Sequence, residues 1–186
     1  MIPYRERIIL TEEGRSLSES DDPQIDLGEF RRALSCFATG VAVVTTNDEN
    51  DEPVGMTVSS FNSVSLDPPL VLWSIANDAQ CYDSFMNAEY FAVNVLTMEQ
   101  QHLSSRFATR GIDKFDGLGY RAGIHGAPIL PEYAACFECT TEYRYEGGDH
   151  KIIVGRVLHL EDRETDPLIF YRGRFLKNGG SGPETP

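Results

Sequence analysis

Apolar residues along this chain gather in short runs bounded by Gly, Pro, Asn and Asp. VAVVTT (41–46), PVGMTV (53–58), LVLWSI (70–75) and FAVNVL (91–96) are rich in β-branched and aromatic residues and predict strands. A weaker run, FNSVS (61–65), reads the same way, and NDENDE (47–52) is a hairpin turn by composition. Asp67-Pro68-Pro69 cannot lie inside a helix or a central strand, so it separates the third run from the fourth. Two long strands are predicted over 134–145 and 150–161, and a final one over 168–175. Helical spacing appears at Phe30, Ala33, Leu34 and Phe37, with Asp26 placed to cap the start and Thr39-Gly40 to end it. Short helices are expected over 80–87 and 99–107, and a Gly-rich loop over 110–131. With no regular β-α alternation, the pattern predicts a mainly β fold, a β-barrel with inserted helices, and not a doubly wound sheet.

Three segments follow from the same reading. Residues 1–25 form a polar, acidic N-terminal arm, 26–177 the folded domain, and 178–186 a flexible tail. A chain of 186 residues, 41% hydrophobic and 24% charged, can bury one compact core. No run approaches the roughly 20 apolar residues of a membrane span. The start, MIPYRERIILTEEGR, carries charges where a signal peptide needs an apolar stretch, so a cytoplasmic location is expected.

Charge narrows the chemistry. A formal net charge of -13 argues against nucleic-acid or anionic-membrane partners, and an anionic ligand must be held by local donors against the overall field. Cys36, Cys81, Cys136 and Cys139 are expected as reduced thiols. Cys136 and Cys139 make a C-x-x-C, but within a strand such a pair points to opposite faces, so two half-buried strand residues are expected instead of a metal or redox pair. There is no G-x-x-x-x-G-K-[ST], H-E-x-x-H or G-x-S-x-G, and the glycines of DGLGYRAG have the wrong spacing for a dinucleotide fingerprint. His102, His125, His150 and His159 show no metal-ligand spacing, and no metal is expected.

Two features remain. GMTVSSFNSVSLDPPL (55–70) concentrates Thr57, Ser59, Ser60, Ser63 and Ser65 in strand-like sequence beside a glycine. Small hydroxyls let a ligand approach the backbone and donate to phosphate or carbonyl oxygens without adding charge; a solvent-facing barrel strand is the plainer reading. Gly147-Gly148-Asp149-His150 makes a tight hairpin turn with a histidine at the mouth of the next strand, which is more often a surface residue than a catalytic one.

Taken together, these segments resemble the flavin reductase-like, FMN-binding split-barrel family, which includes the reductase components of two-component flavin monooxygenases. The likeness runs through FRRALSCFATGVAVVTT, GMTVSSFNSVSLDPPLVLWSI, FAVNVL followed by Gln101 and LSSRFA, DKF (113–115), GAPIL (126–130), ACFEC, GGDH and PLIFYRGRF, in that order. The resemblance implies a Greek-key-like split barrel and a homodimer with flavin at its interface. It sets Thr57, Val58, Ser59 and Ser60 around the flavin ring and ribityl chain, with Ser74 and Ile75 on the adjoining strand. It offers Ser84 and Arg106 for the FMN phosphate, and Lys114 and Phe115 as a loop near the flavin.

Asp149, His150 and Arg174 fall to the nicotinamide of NADH or NADPH, with His150 as the catalytic residue that positions it. The implied reaction is hydride transfer to FMN, or to FAD, with the reduced flavin passed to a separate monooxygenase. The lack of an Arg cluster for a 2′-phosphate favours NADH. The alternatives are a flavin-binding carrier without turnover, or a flavin-mediated reductase of a corrinoid or iron chelate.

Overall fold

The computed structural model describes residues 24–176, so the expected tail over 178–186 and nearly all of the expected arm over 1–25 lie outside them; two compact units are divided between Cys36 and Phe37. In the first, helix α1 (Leu27–Leu34) begins where Asp26 accepts the Glu29 N–H at 2.7 Å, as an N-cap does. It stops sooner than its apolar spacing predicts. The Ser35 hydroxyl turns back to donate to the Arg32 carbonyl at 2.7 Å, and Phe37 lies beyond the helix.

The second unit begins with a short strand β1 (Thr39–Gly40), followed by β2 (Ala42–Asn47), β3 (Pro53–Val58), β4 (Asn62–Leu66) and β5 (Pro69–Ala76). After them come α2 (Tyr82–Asn87), β6 (Tyr90–Val95), a single 3-10 turn, α3 (Gln101–Ala108), β7 (Arg121–Ala122) and β8 (Pro128–Ile129). The chain continues through β9 (Ala135–Gly147), β10 (His150–Asp162), β11 (Ile169–Tyr171) and β12 (Arg174–Leu176). Seven strands form one antiparallel sheet in the order β3-β2-β6-β9-β10-β5-β4. The connection from β5 to β6 passes over β10 and β9, a Greek-key-like crossing. Consecutive strands β3 and β4 thus lie at opposite edges, so the sheet curls without closing and the barrel is split.

Alternation within the sheet builds two layers of core. Val44 of β2 joins Val58, Trp73, Ile75, Phe91 and Ile153 inside the curl. Its neighbour Val43 faces the other way, against Leu96, Leu103, Phe107 and Phe115. A strand buried on both faces reads as a continuous apolar run, which is why VAVVTT shows no alternation. Trp73 is fully buried between Phe85 and Phe91, with ring centroids 4.8 and 5.9 Å away in edge-on geometry, an arrangement worth about 1 kcal/mol per pair beyond burial.

Beyond the early end of α1, the elements depart from the sequence reading in three further places. The last strand is a hairpin, β11 and β12, because Arg172 and Gly173 take φ of 48° and 77°, the two positive values of a tight primed turn. The loop before β9 carries the small β7–β8 ladder. Cys136 and Cys139 do face opposite sides of β9, but both are fully buried, not half-buried. Burial pushes each thiol up to about 12, so both stay protonated at pH 8. Iodoacetamide at pH 8 is therefore expected to modify the exposed Cys36 and spare Cys136 and Cys139 until the protein is unfolded; peptide mass mapping with native labelling of either would refute this.

No helix among the described residues is long and apolar enough to cross a membrane. Among those residues, no group of His, Cys, Asp and Glu is placed to hold a metal ion.

Candidate functional site

The split in the sheet is where a cleft opens. About 470 Å³ in volume, it is lined on one side by Met56, Thr57 and Val58 of β3 with Ser59 and Ser60 beyond. Ser74 and Ala76 of β5 and Gly147, His150 and Ile152 of the β9–β10 hairpin line it too. Segments some ninety positions apart meet here because β10 pairs with β5 on one side and β9 on the other, with His150 opposite Ala76 and Gly147.

The hydroxyls in the cleft divide into two kinds. Thr57 donates to the Ser104 carbonyl of α3 at 2.7 Å. Ser60 accepts from the Ser74 N–H at 2.9 Å and donates to the Ser74 carbonyl at 3.3 Å, standing in for the ladder bonds a longer β4 would make. These two brace the rim. The Ser59 and Ser74 hydroxyls make no hydrogen bond among the described residues, and so remain available to a ligand. Ile75 points the opposite way from Ser74 and is fully buried, so it brings no side chain to the cleft.

At the other wall, Gly148 takes φ 78° in the turn, a conformation that favours glycine. The exposed Asp149 carboxylate accepts from His150 Nδ1 at 2.7 Å. That bond fixes the neutral ring as the Nδ1–H tautomer and leaves Nε2 as the free acceptor, while the ring itself stays half-exposed in the cleft. Asp149 thus orients the histidine without lining the cleft itself.

A second groove, about 270 Å³, adjoins the first along β3 and is lined by Val54, Gly55, Gln80, Ser84, Lys114 and Phe115 among others. Lys114 donates to the Gly55 carbonyl at 3.0 Å, and partial burial draws its ammonium below the usual lysine range. Gly55 has a reason to be glycine: a Cβ there would stand 2.9 Å from the Phe107 ring and 3.1 Å from the Val44 carbonyl. Phe115 is largely buried beneath this groove, edge-on to Phe107.

Two sequence candidates lie elsewhere. The Arg106 guanidinium, on the last turn of α3, is bound to the Asp116 carbonyl. Arg174, on β12, is exposed and outside the cleft; its neighbour Phe175 lines a separate apolar recess that shares Thr57 and Ser59 with it. The structure thus unites Thr57, Val58, Ser59, Ser60, Ser74 and His150 in one cleft, and Ser84, Lys114 and Phe115 in another. Asn77, whose side-chain amide donates to the Gly148 carbonyl at 3.2 Å behind His150, was not among the sequence candidates. Its one signal, an amide residue just past the strand SIA, is too common to notice.

Fold and cleft together define a split-barrel-like β domain whose open seam is a cleft lined by uncharged donors and one histidine. Residues 34–179 match the flavin reductase like domain, and the chain belongs to that family. It is 48% identical over 146 residues to "FMN reductase (NADH) SmoA" of Agrobacterium fabrum, covering 78% of this chain and 83% of that protein. It is 39% identical over 167 residues to "Flavin-dependent monooxygenase, reductase subunit HsaB" of Rhodococcus jostii, covering 89% and 83%. Among solved structures it resembles the Streptomyces globisporus NADH:FAD oxidoreductase SgcE6, crystallised with NAD and FAD fragments. That match has a TM-score of 0.79 and 37% identity, over 87% of this chain and 96% of the other.

Proposed function

We propose that this chain is a flavin reductase that uses NADH to reduce FMN or FAD and hands the reduced flavin to a separate monooxygenase. The observation that carries the reading is the meeting of His150 with the hydroxyl-lined β3–β5 wall in one cleft. The relatives support it: one is an NADH-dependent FMN reductase, another the reductase subunit of a flavin-dependent monooxygenase.

The donor set fits a flavin. Free hydroxyls at Ser59 and Ser74, with nearby main-chain amides, suit the polar edge of an uncharged ring system. Lys114 and Ser84 place one cation and one hydroxyl in the adjoining groove, the local donors a phosphate needs in a chain of net charge -13. Arg106, whose guanidinium donates to the Asp116 carbonyl next to Phe115, does not itself line that groove. Bound flavin supplies the hydride acceptor. The protein's own work is alignment: His150, oriented by Asp149, presents Nε2 to the nicotinamide carboxamide and holds the ring over the cleft. No side chain has to move a proton. In the dimer we propose, the second copy completes the flavin site at the open seam.

Anaerobic addition of NADH to the protein with FMN is expected to bleach the flavin absorbance in many turnovers. Bound flavin that stays oxidised under NADH would instead identify a binding module without turnover.

A further inference from the structure

Between β5 and α2 the chain runs from Ala76, which lines the first cleft, to Gln80, which lines the second groove. Four bonds tie residues 77–80 to the turn before β10 and to the loop after α3. The Asn77 N–H donates to the Asp149 carbonyl at 3.0 Å, and its side-chain amide donates to the Gly148 carbonyl at 3.2 Å. Asp78 pairs with Arg110 at 3.0 Å, and Gln80 accepts the Gly111 N–H at 3.0 Å. Two bonds thus reach the histidine turn, and two reach the loop that continues into Lys114 and Phe115.

We infer that Asn77 is a positioning residue for His150. This rests on the proposed role of His150 and adds what holds that residue in place. The turn at Gly147–His150 closes the β9–β10 ladder at the Gly147–His150 pair and projects beyond it. Its residues are exposed or half-exposed, and Gly148 has open space around the position of a Cβ. The β5–β10 ladder ends at the Ala76–His150 pair. Beyond that pair, the Asn77 amide grips the Gly148 carbonyl, and the main chain of Asn77 grips Asp149, whose carboxylate orients the imidazole. The donor must be an amide of this length at this site: alanine leaves the Gly148 carbonyl to water, and aspartate sets a carboxylate against it. Asn77 is itself anchored, because Asp78 and Gln80 bind the facing loop, and the Arg110 guanidinium beside Asp78 holds its carboxyl below the usual range. Position is therefore set from a braced segment and not from a free strand end.

The test is a double-mutant cycle on the full-length chain, read as kcat and KM for NADH and as FMN affinity by fluorescence quenching. Asn77→Ala is expected to raise KM for NADH about three- to tenfold, with FMN affinity kept within about twofold. In a His150→Ala background the same change is expected to add nothing, because the group it positions is gone. Equal effects in both backgrounds would show that Asn77 acts through the general structure, and unchanged kinetics in the single variant would overturn the inference while leaving His150 intact. A His150→Ala enzyme as active as the parent would remove the assigned role of His150, and this inference with it.

Discussion

Replacing His150 with alanine is expected to lower kcat/KM for NADH by about 10- to 100-fold. FMN affinity should stay within about twofold of the parent. The asymmetry follows from where the side chain stands. His150 lines the cleft from the β9–β10 hairpin, while the free hydroxyls of Ser59 and Ser74 come from the link after β3 and from β5. One wall can lose its contact with the nicotinamide while the other keeps the flavin. A lost positioning hydrogen bond to a neutral group is worth about 1–3 kcal/mol in such a site, which sets the range. Stopped-flow reduction of bound FMN by NADH, under anaerobic conditions, measures it directly. Wild-type rates in the variant would mean that His150 is a bystander at the rim.

The largest effect on stability is expected at Gly155. A Cβ built there lies 2.4 Å from Phe91 Cζ, 2.9 Å from Phe91 Cε1 and 3.0 Å from Cys139 Cβ. Phe91 cannot step aside, since its ring is almost fully buried and packs edge-on against Trp73. Gly155→Val must therefore displace the inner core or the β10 backbone. We expect a loss of roughly 2–3 kcal/mol, or a melting temperature lower by about 5–10 °C. Gly119→Ala is the control: nothing lies within 4 Å of its added carbon, and its stability should stay within about 0.5 kcal/mol of the parent. Equal unfolding midpoints for Gly155→Val and the parent, by urea or heat, would refute the steric account.

These two positions also mark how far the residues alone could be read. Local chemistry marked His150 only as the histidine at the end of a Gly-Gly-Asp-His turn, and the resemblance of the whole chain gave it a role. Gly155 stood out in no way. Its need to be glycine comes from Phe91, sixty-four positions earlier, which meets it only when β6, β9 and β10 lie side by side. Lys114 is intermediate. The DKF block drew attention to it, yet its place beside Ser84 depends on how the long loop folds back over β3. Arg106, from an equally plausible block, bonds the Asp116 carbonyl and does not line the groove, a placement its own block could not show.

What the sequence determined by itself was the set of β-elements and their breaks, because strand and turn preferences act over a few residues. VAVVTT, LVLWSI and FAVNVL became β2, β5 and β6 nearly at the predicted bounds, and Asp67-Pro68 became the turn between β4 and β5. The hydroxyl-rich segment after Gly55 and the histidine turn marked a plausible ligand site, and only the resemblance of the ordered blocks gave it a chemistry. The tertiary structure alone decided which of those groups share a space. Strand order sent β3 and β4 to opposite edges, and that opened the seam where Ser59, Ser74 and His150 meet. It also turned Ile75 into the core and tied Asn77 to the histidine turn. The β5–β10 pairs join positions 74 to 86 apart, from His150–Ala76 to Arg156–Leu70, and depend on the whole sheet curling around its core, which no local pattern records.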